Sequence, residues 1–216
     1  MHAVLFDMDG VLVNSEDYWT EFQREEILPA AVPDEHVDVA EVTGMNYRET
    51  YDYLDEEYGT AISRDQFEDR FEEIAREIYH EHVDALDGLS DLLAELEERG
   101  VATAVVSSSP HAWIDIVLER FDLEGEFDRV VSGEDIEATS KPEPDIFEYA
   151  ASETGAPAEE CIVVEDSENG VEAGARAGAV VVAYRIDAHD GLDLSPADEV
   201  VDSAAELRET ILELTD

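Results

Sequence analysis

Between residues 89 and 183 the chain alternates amphipathic stretches with short, almost uniformly apolar runs, and few architectures accept that order. A stretch with the helical period spans Leu89–Arg99 and is closed by Gly100, then comes the apolar run Val101–Val106, then a helical pattern starting at Pro110. Further apolar runs at Arg129–Ser132, Cys161–Glu165 and Ala179–Ala183 are separated by helical patterns around Asp145–Glu153 and Glu168–Ala177. Strands without polar alternation are buried on both faces, and strands joined through helices can pair in parallel. The expected core is therefore α/β, a parallel sheet between two layers of helices. Ala3–Phe6 supplies one more strand, while Arg185–Pro196, rich in Asp and Gly, reads as a long surface loop before a last helix, Ala204–Leu214.

A different pattern interrupts this order near the start. From Ser15 to His82 the period is helical and breakers divide it: Trp19, Phe22 and Ile27 precede Pro29, and Tyr51, Leu54 and Tyr58 precede Gly59. Ser63 with Gln66 forms a capping box opening a third helix, with Phe67, Phe71, Ile74 and Ile78 at helical spacing. The expected organisation is a Rossmann-like three-layer core from residues 1–14 and 83–216, with an α-helical cap domain inserted at 15–82. In such sheets the ligand crevice lies beyond the carboxyl ends of the strands, which directs attention to Asp7, Ser107, Ser132, Glu165 and Asp166.

Charge narrows the partners. Of 216 residues 58 are Asp or Glu and 12 are Lys or Arg, a net charge of −46, which excludes a nucleic-acid-binding surface as the first expectation. The acids are interleaved with apolar positions along the whole chain, as on a solvated surface, and 44% hydrophobic content is enough to fill a core. Self-repulsion of this size is relieved by salt, whose Debye length falls to about 3 Å at 1 M, so the pattern predicts a halophilic protein. No run reaches the roughly 18 apolar residues of a membrane span, and MHAVLFDMDG has no basic leader, so a cytoplasmic location is expected. A lone cysteine, Cys161, excludes an internal disulfide.

The chemistry gathers at the strand ends. Asp7 and Asp9 lie two apart in an extended segment, so both carboxylates can leave on one side while Gly10 permits a sharp turn. Such a pair can attack as a nucleophile, hold a hard divalent cation, or move a proton, since like charges in proximity raise one pKa. Val105-Val106-Ser107-Ser108-Ser109-Pro110 is a strand ending in hydroxyls ahead of a helix, with Ser109 as the expected N-cap and Ser107 left for an anion. Lys141, the only lysine beside eleven arginines, suits a site that wants a compact charge on a phosphate oxygen or an aspartate. Glu165-Asp166 follows an apolar run and can complete the oxygen shell of Mg²⁺ begun by Asp7.

Asp7-Met8-Asp9-Gly10-Val11-Leu12, Ser107, Lys141-Pro142, and Glu165-Asp166-Ser167 through Gly170 resemble, in order and spacing, the four motifs of the haloacid dehalogenase-like phosphohydrolases. The resemblance spans the chain, and the insert is similar to the helical cap of the phosphoglycolate phosphatase and β-phosphoglucomutase-like members. It implies that Asp7 attacks phosphorus, that Asp9 serves as general acid and then base, and that Ser107, the Ser108 backbone and Lys141 hold the phosphoryl group. It further implies that Asp7, the Asp9 carbonyl and Asp166, with Glu165 directly or through water, hold Mg²⁺. The implied activity is hydrolysis of a small phosphorylated metabolite, a sugar phosphate or phosphoglycolate, by a monomer or weak homo-oligomer. Dehalogenases of the family need no metal and lack the second aspartate, so Asp9 and Glu165-Asp166 favour phosphoryl chemistry. Two alternatives stand beside it: a phosphosugar mutase, against which Trp19 occupies the place of that branch's cap-hinge histidine, and a non-catalytic phosphometabolite-binding module.

Within the cap, Gly44-Met45-Asn46-Tyr47-Arg48 matches the position of the family's specificity loop, which makes Gly44 and Arg48 substrate-contact candidates. The competing reading is that Asn46 caps the next helix with Glu49 at its third position and Arg48 is a surface charge. His80 and His82 are spaced two apart on a helix and so point apart, which disfavours a metal pair. Tyr47, Tyr51, Tyr53 and Tyr58 read as cap packing, and His111 as a minor candidate for the pocket wall.

Overall fold

A computed structural model describes the chain apart from residues 43–44, 137–139, 187 and 189–190. The first strand, β1 (Ala3–Phe6), is buried along its whole length. The chain then divides into two compact units, one of Met1–Asn14 with Asp84–Asp216 and one of Ser15–Val83. Among the described residues no helix is long and apolar enough to cross a membrane.

The smaller unit is helical. It opens with α1 (Glu16–Phe22), a π-helical turn at Gln23–Ile27 and α2 (Leu28–Ala31). Pro29 therefore does not end the helix, as the breaker reading expects. Its ring crowds the carbonyl four residues back and it has no N–H to donate, but a widened turn just ahead and a place in the first turn of α2 remove both conflicts. Reciprocal capping boxes open α3 (Tyr47–Glu57) from Asn46 and Glu49, and α4 (Arg64–Glu77) from Ser63 and Gln66. Each such cap stabilises its helix by about 1 kcal/mol.

Helical spacing places Phe67, Phe71, Ile74 and Ile78 on one buried face. Trp19 stacks on Phe71 at 5.6 Å and its indole N–H donates to the Tyr79 hydroxyl at 3.2 Å. Tyr47 and Tyr51 pack on Phe71 and Phe67, while the Tyr53 and Tyr58 hydroxyls both donate to the Glu41 carboxylate, at 2.9 and 2.6 Å. The tyrosines are thus packing residues. His82 lies against the Tyr18 and Phe22 rings and His80 is exposed, so the two histidines do not share a site.

In the larger unit α5 (Leu89–Arg99) ends at Gly100 in the left-handed conformation, and β2 (Ala102–Ser107), α6 (His111–Arg120) and β3 (Arg129–Ser132) follow. Then come α7 (Asp145–Thr154), β4 (Cys161–Glu165), α8 (Glu168–Ala177), β5 (Val180–Tyr184), β6 (Glu199–Val201) and α9 (Ala204–Leu214). All strands pair in parallel, in the order β3-β2-β1-β4-β5-β6. Strand β6 has no counterpart among the expected strands. It is three residues long with only Val201 buried, too short for a periodic signal, and it forms by pairing along β5.

Alternation divides the sheet's side chains between two helical layers. Ala3, Leu5, Ala104, Val106, Val131, Val163 and Val181 pack with Phe147, Ala150 and Val171 of α7 and α8. Val4, Phe6, Val105, Val164 and Val182 face the other way and are equally buried, on the side of α5, α6 and α9. Cys161 belongs to the first set, and burial, with Glu160 and Glu159 adding, pushes its thiol up to about 11. Native-state alkylation at neutral pH is expected to be slow and to accelerate only on unfolding, as a thiol-labelling time course against denaturant would show.

Candidate active site

The strand order reverses at β1, with β2 on one side and β4 on the other, and the loops leaving these three strands meet there. Asp7 follows β1 directly, its N–H donating to the Val164 carbonyl of β4 at 2.9 Å. Asp9 lies two residues on and is half-buried. Gly10 then turns the chain at φ +78, and a Cβ there would overlap the Asp166 carboxylate. Two constraints, the left-handed backbone and the close approach, therefore demand glycine at this one place. Ser107 ends β2, Glu165 ends β4, and Asp7, Ser107, Glu165 and Asp166 are all buried.

Lys141 reaches this point from the loop before α7. Its Nζ donates to Asp7 Oδ1 and to Glu165 Oε1, both at 2.5 Å, and sits 5.0 Å from the centre of the Phe147 ring. Burial opposes its charged form, but the two carboxylates outweigh that and hold the ammonium above the usual lysine range. Burial pushes the Asp7 carboxyl well above the usual carboxylate range. Lys141 works against this, and Glu165, Asp166 and Asp9 add to it. Glu165 is caged by its own chain: Oε2 accepts from the Asp166 N–H, the Ser167 N–H and the Ser167 hydroxyl at 3.0–3.2 Å, while Oε1 faces Lys141.

The loop after β2 departs from its expectation. Ser109 does not cap α6. Pro110 holds the cap position with no side-chain cap bond, and the Ser109 hydroxyl instead donates to Asp9 Oδ2 at 3.1 Å. Ser107 Oγ accepts the Ser109 N–H at 3.1 Å, which folds the loop back over the end of β2. Ser132, fully buried at the end of β3, donates to the Ser109 carbonyl at 2.7 Å. Beside it Gly133 lies so close to Ser108 that a Cβ would come within 2.9 Å of that carbonyl. Gly133 went unrecognised in the sequence because a close approach between two loops leaves no periodic trace. His111 pairs with Asp135 at 2.8 Å and lies outside the carboxylate cluster.

The donor set fits a hard divalent cation. Asp7, Glu165 and Asp166 offer carboxylate oxygens within 4.8 Å of one another, all buried, and a single lysine leaves an excess of negative charge that two positive charges would offset. With Asp166 among the ligands of such an ion, Gly10→Ala would weaken Mg²⁺ binding at least about tenfold, since a methyl group there displaces the Asp166 carboxylate. Titration of thermal stability with Mg²⁺ measures this; unchanged affinity would remove Asp166 from the ligand set.

Of the cap candidates, Gly44 lies outside the described residues. Asn46 caps α3, accepting the Arg48 N–H at 2.9 Å, and Glu49 completes the box. Arg48 itself is exposed, with its guanidinium over the Tyr47 ring at 5.1 Å.

Residues 4–184 match the profile of the haloacid dehalogenase-like hydrolases. The chain is 30% identical over 178 residues to a phosphorylated carbohydrates phosphatase of Thermotoga maritima, covering 82% of each protein. It is 28% identical to hexitol phosphatase B of Escherichia coli, covering 83% of this chain and 82% of that one. Among solved structures it resembles CbbY of Rhodobacter sphaeroides in complex with phosphate, at a TM-score of 0.80 and 25% identity over 96% of both chains. With its four loop groups gathered at the ends of β1, β2 and β4 and beside α7, the chain belongs to the haloacid dehalogenase-like hydrolases and is an enzyme of the phosphatase kind.

Proposed function

We propose that the chain is a Mg²⁺-dependent phosphomonoester hydrolase that works through an aspartyl-phosphate on a small phosphorylated metabolite, of the sugar phosphate or phosphoglycolate type. The observation that carries this reading is Asp7. It is a buried carboxylate at the switch point of the sheet, touched by the only lysine and flanked by two more buried acids. The names of the phosphatase relatives, which refer to phosphorylated carbohydrates and a hexitol, support the substrate class.

In this reading an Asp7 oxygen attacks phosphorus as the ester oxygen leaves, and Asp9 gives that oxygen its proton. Asp9 then takes a proton from the water that attacks the aspartyl-phosphate, which restores Asp7 and releases inorganic phosphate. The Lys141 ammonium, the Ser107 hydroxyl and the Ser108 N–H hold the phosphoryl oxygens, whose charge must be matched in a loose transition state. Asp7, the Asp9 carbonyl and Asp166 would hold Mg²⁺, with Glu165 behind them, and the ion when bound supplies further charge neutralisation on the same oxygens. A cytoplasmic monomer or weak homo-oligomer is the expected setting, with the helical unit as the cap that selects substrate.

Phosphate release from a panel of phosphomonoesters, with Mg²⁺ and in multimolar KCl, tests the reading. Conversion of β-glucose 1-phosphate to glucose 6-phosphate is followed in parallel. Mg²⁺-dependent release establishes the hydrolase; isomerisation without release assigns the chain to the mutase branch, and tight phosphate binding with neither assigns it to a binding module. A net charge of −46 also makes salt a stabiliser: the melting temperature followed by circular dichroism is expected to rise steeply with KCl, and full stability in dilute buffer would argue against halophily.

A further inference from the structure

One side chain ties the loop after β2 to the acid that follows the nucleophile. The Ser109 hydroxyl donates to Asp9 Oδ2 at 3.1 Å, and the Ser109 backbone is pinned on both sides, its N–H to Ser107 Oγ at 3.1 Å and its carbonyl to the Ser132 hydroxyl at 2.7 Å. Ser132 is anchored in turn. Its N–H donates to Asp135 Oδ2 at 2.9 Å, its oxygen accepts the Glu134 N–H at 3.1 Å, and Asp135 Oδ1 meets His111 at the start of α6 at 2.8 Å. The hydroxyl on Asp9 is therefore held by a framework spanning the ends of β2 and β3. Pro110 holds the cap position of α6 and the His111 N–H donates to Glu134 Oε2 at 3.1 Å, so the Ser109 hydroxyl caps no helix.

We propose that Ser109 is a positioning residue that holds the Asp9 carboxyl in the one orientation from which it protonates the leaving oxygen. This rests on the reading of Asp9 as general acid. A carboxyl on a short side chain turns about two torsions, and it transfers a proton only when it comes within about 2.6–3.2 Å of the acceptor. A hydrogen bond accepted at Oδ2 restrains both torsions and is compatible with a proton on the other oxygen. Without it one restraint on Asp9 is lost and the competent fraction falls.

The consequence is selective, because only some leaving groups need a proton. An alkyl phosphate expels an alkoxide that must be protonated as the bond breaks, whereas p-nitrophenyl phosphate expels a phenolate stable as the anion. Moreover kcat/KM reports the steps up to loss of the alcohol and is blind to the later attack of water, in which Asp9 serves every substrate alike. Ser109→Ala, Ser109→Thr and the unaltered chain are compared by kcat/KM on a hexose 6-phosphate and on p-nitrophenyl phosphate, with Mg²⁺. Ser109→Ala is expected to lower kcat/KM on the hexose phosphate by about tenfold and on the aryl ester several-fold less, and Ser109→Thr to restore the ratio of the two. An equal loss on both esters would assign Ser109 to the phosphate seat and overturn the proposal, as would no loss on either. Where the hexose phosphate is not a substrate, the alkyl ester of the panel that the unaltered chain hydrolyses fastest takes its place; hydrolysis of no ester in the panel overturns the phosphatase reading and this inference with it, a result separate from every pattern of the variants.

Discussion

Asp7→Asn is expected to abolish phosphate release, by about 10⁴-fold or more, while raising the thermal stability of the metal-free protein. The amide has the shape of the carboxylate but cannot attack phosphorus, so no covalent intermediate forms. The gain in stability follows from burial, which pushes the Asp7 carboxyl well above its usual range even with Lys141 beside it. A carboxyl whose pKa is raised by folding makes the folded chain the better proton binder. Its charge therefore works against the fold above the folded pKa, and that penalty shrinks as pH falls, vanishing below the unfolded value of about 3.9. The difference in melting temperature between Asp7→Asn and the unaltered protein, measured in chelator, should be largest at neutral pH and disappear near pH 4. Added Mg²⁺ should reverse the order at neutral pH by binding the unaltered site more tightly. Turnover well above trace in the variant would place the nucleophile elsewhere, and a lower melting temperature would mean that Asp7 is a net stabiliser.

Lys141→Met has the second largest expected effect and strikes fold and chemistry together. The ammonium lies between Asp7 and Glu165 at 2.5 Å from each, with its side chain 9% exposed. Methionine nearly preserves the length but leaves two buried carboxylates facing each other. Removing one partner from a buried ion pair costs about 3–5 kcal/mol. Loss of a preorganised cation at the transferring group should lower kcat by about 10²–10³-fold. Lys141→Arg separates charge from shape. A planar guanidinium presents its charge over a larger, fixed fork and does not fit a gap closed by two oxygens on one nitrogen, so stability should recover part of the loss while activity stays severely impaired. Urea unfolding beside steady-state kinetics measures both, and near-normal kinetics in the arginine variant would reduce Lys141 to a structural counterion.

Glu165 has more partners than its position alone suggests. At the end of an apolar strand beside Asp166 it reads as a cation ligand, and its oxygens do lie with those of Asp7 and Asp166. In addition Oε2 accepts from three donors of residues 166 and 167 and Oε1 from Lys141, so the same carboxylate also fixes the lysine and the turn. Gly170 makes room for this, since a Cβ there would overlap the Glu165 carboxylate.

The larger elements were legible because their signals are local. Strands buried on both faces must be apolar at every position, helices must repeat every 3.6 residues, and capping boxes place their partners three residues apart, as at Asn46–Glu49 and Ser63–Gln66. The strand ends could be found for the same reason, and with them Asp7, Ser107 and Glu165. Pro29 misled because the local rule is sound but a widened turn satisfies it another way. Strand β6 escaped because three half-exposed residues carry no period of their own and gain their structure from β5.

By itself the sequence determined the layered α/β core, the helical insert and the acids at the ends of β1 and β4. Each follows from a periodicity or a break in one that near neighbours impose. Only the tertiary structure decided what Ser109, Ser132 and Gly133 do and how closely Lys141 is held. Those residues also meet partners 23 to 134 residues away, across strands whose order in the sheet no local pattern encodes. A hydroxyl that local chemistry would assign to a helix cap is instead captured by Asp9, because parallel pairing of β1 and β2 brings the two loops within hydrogen-bond reach.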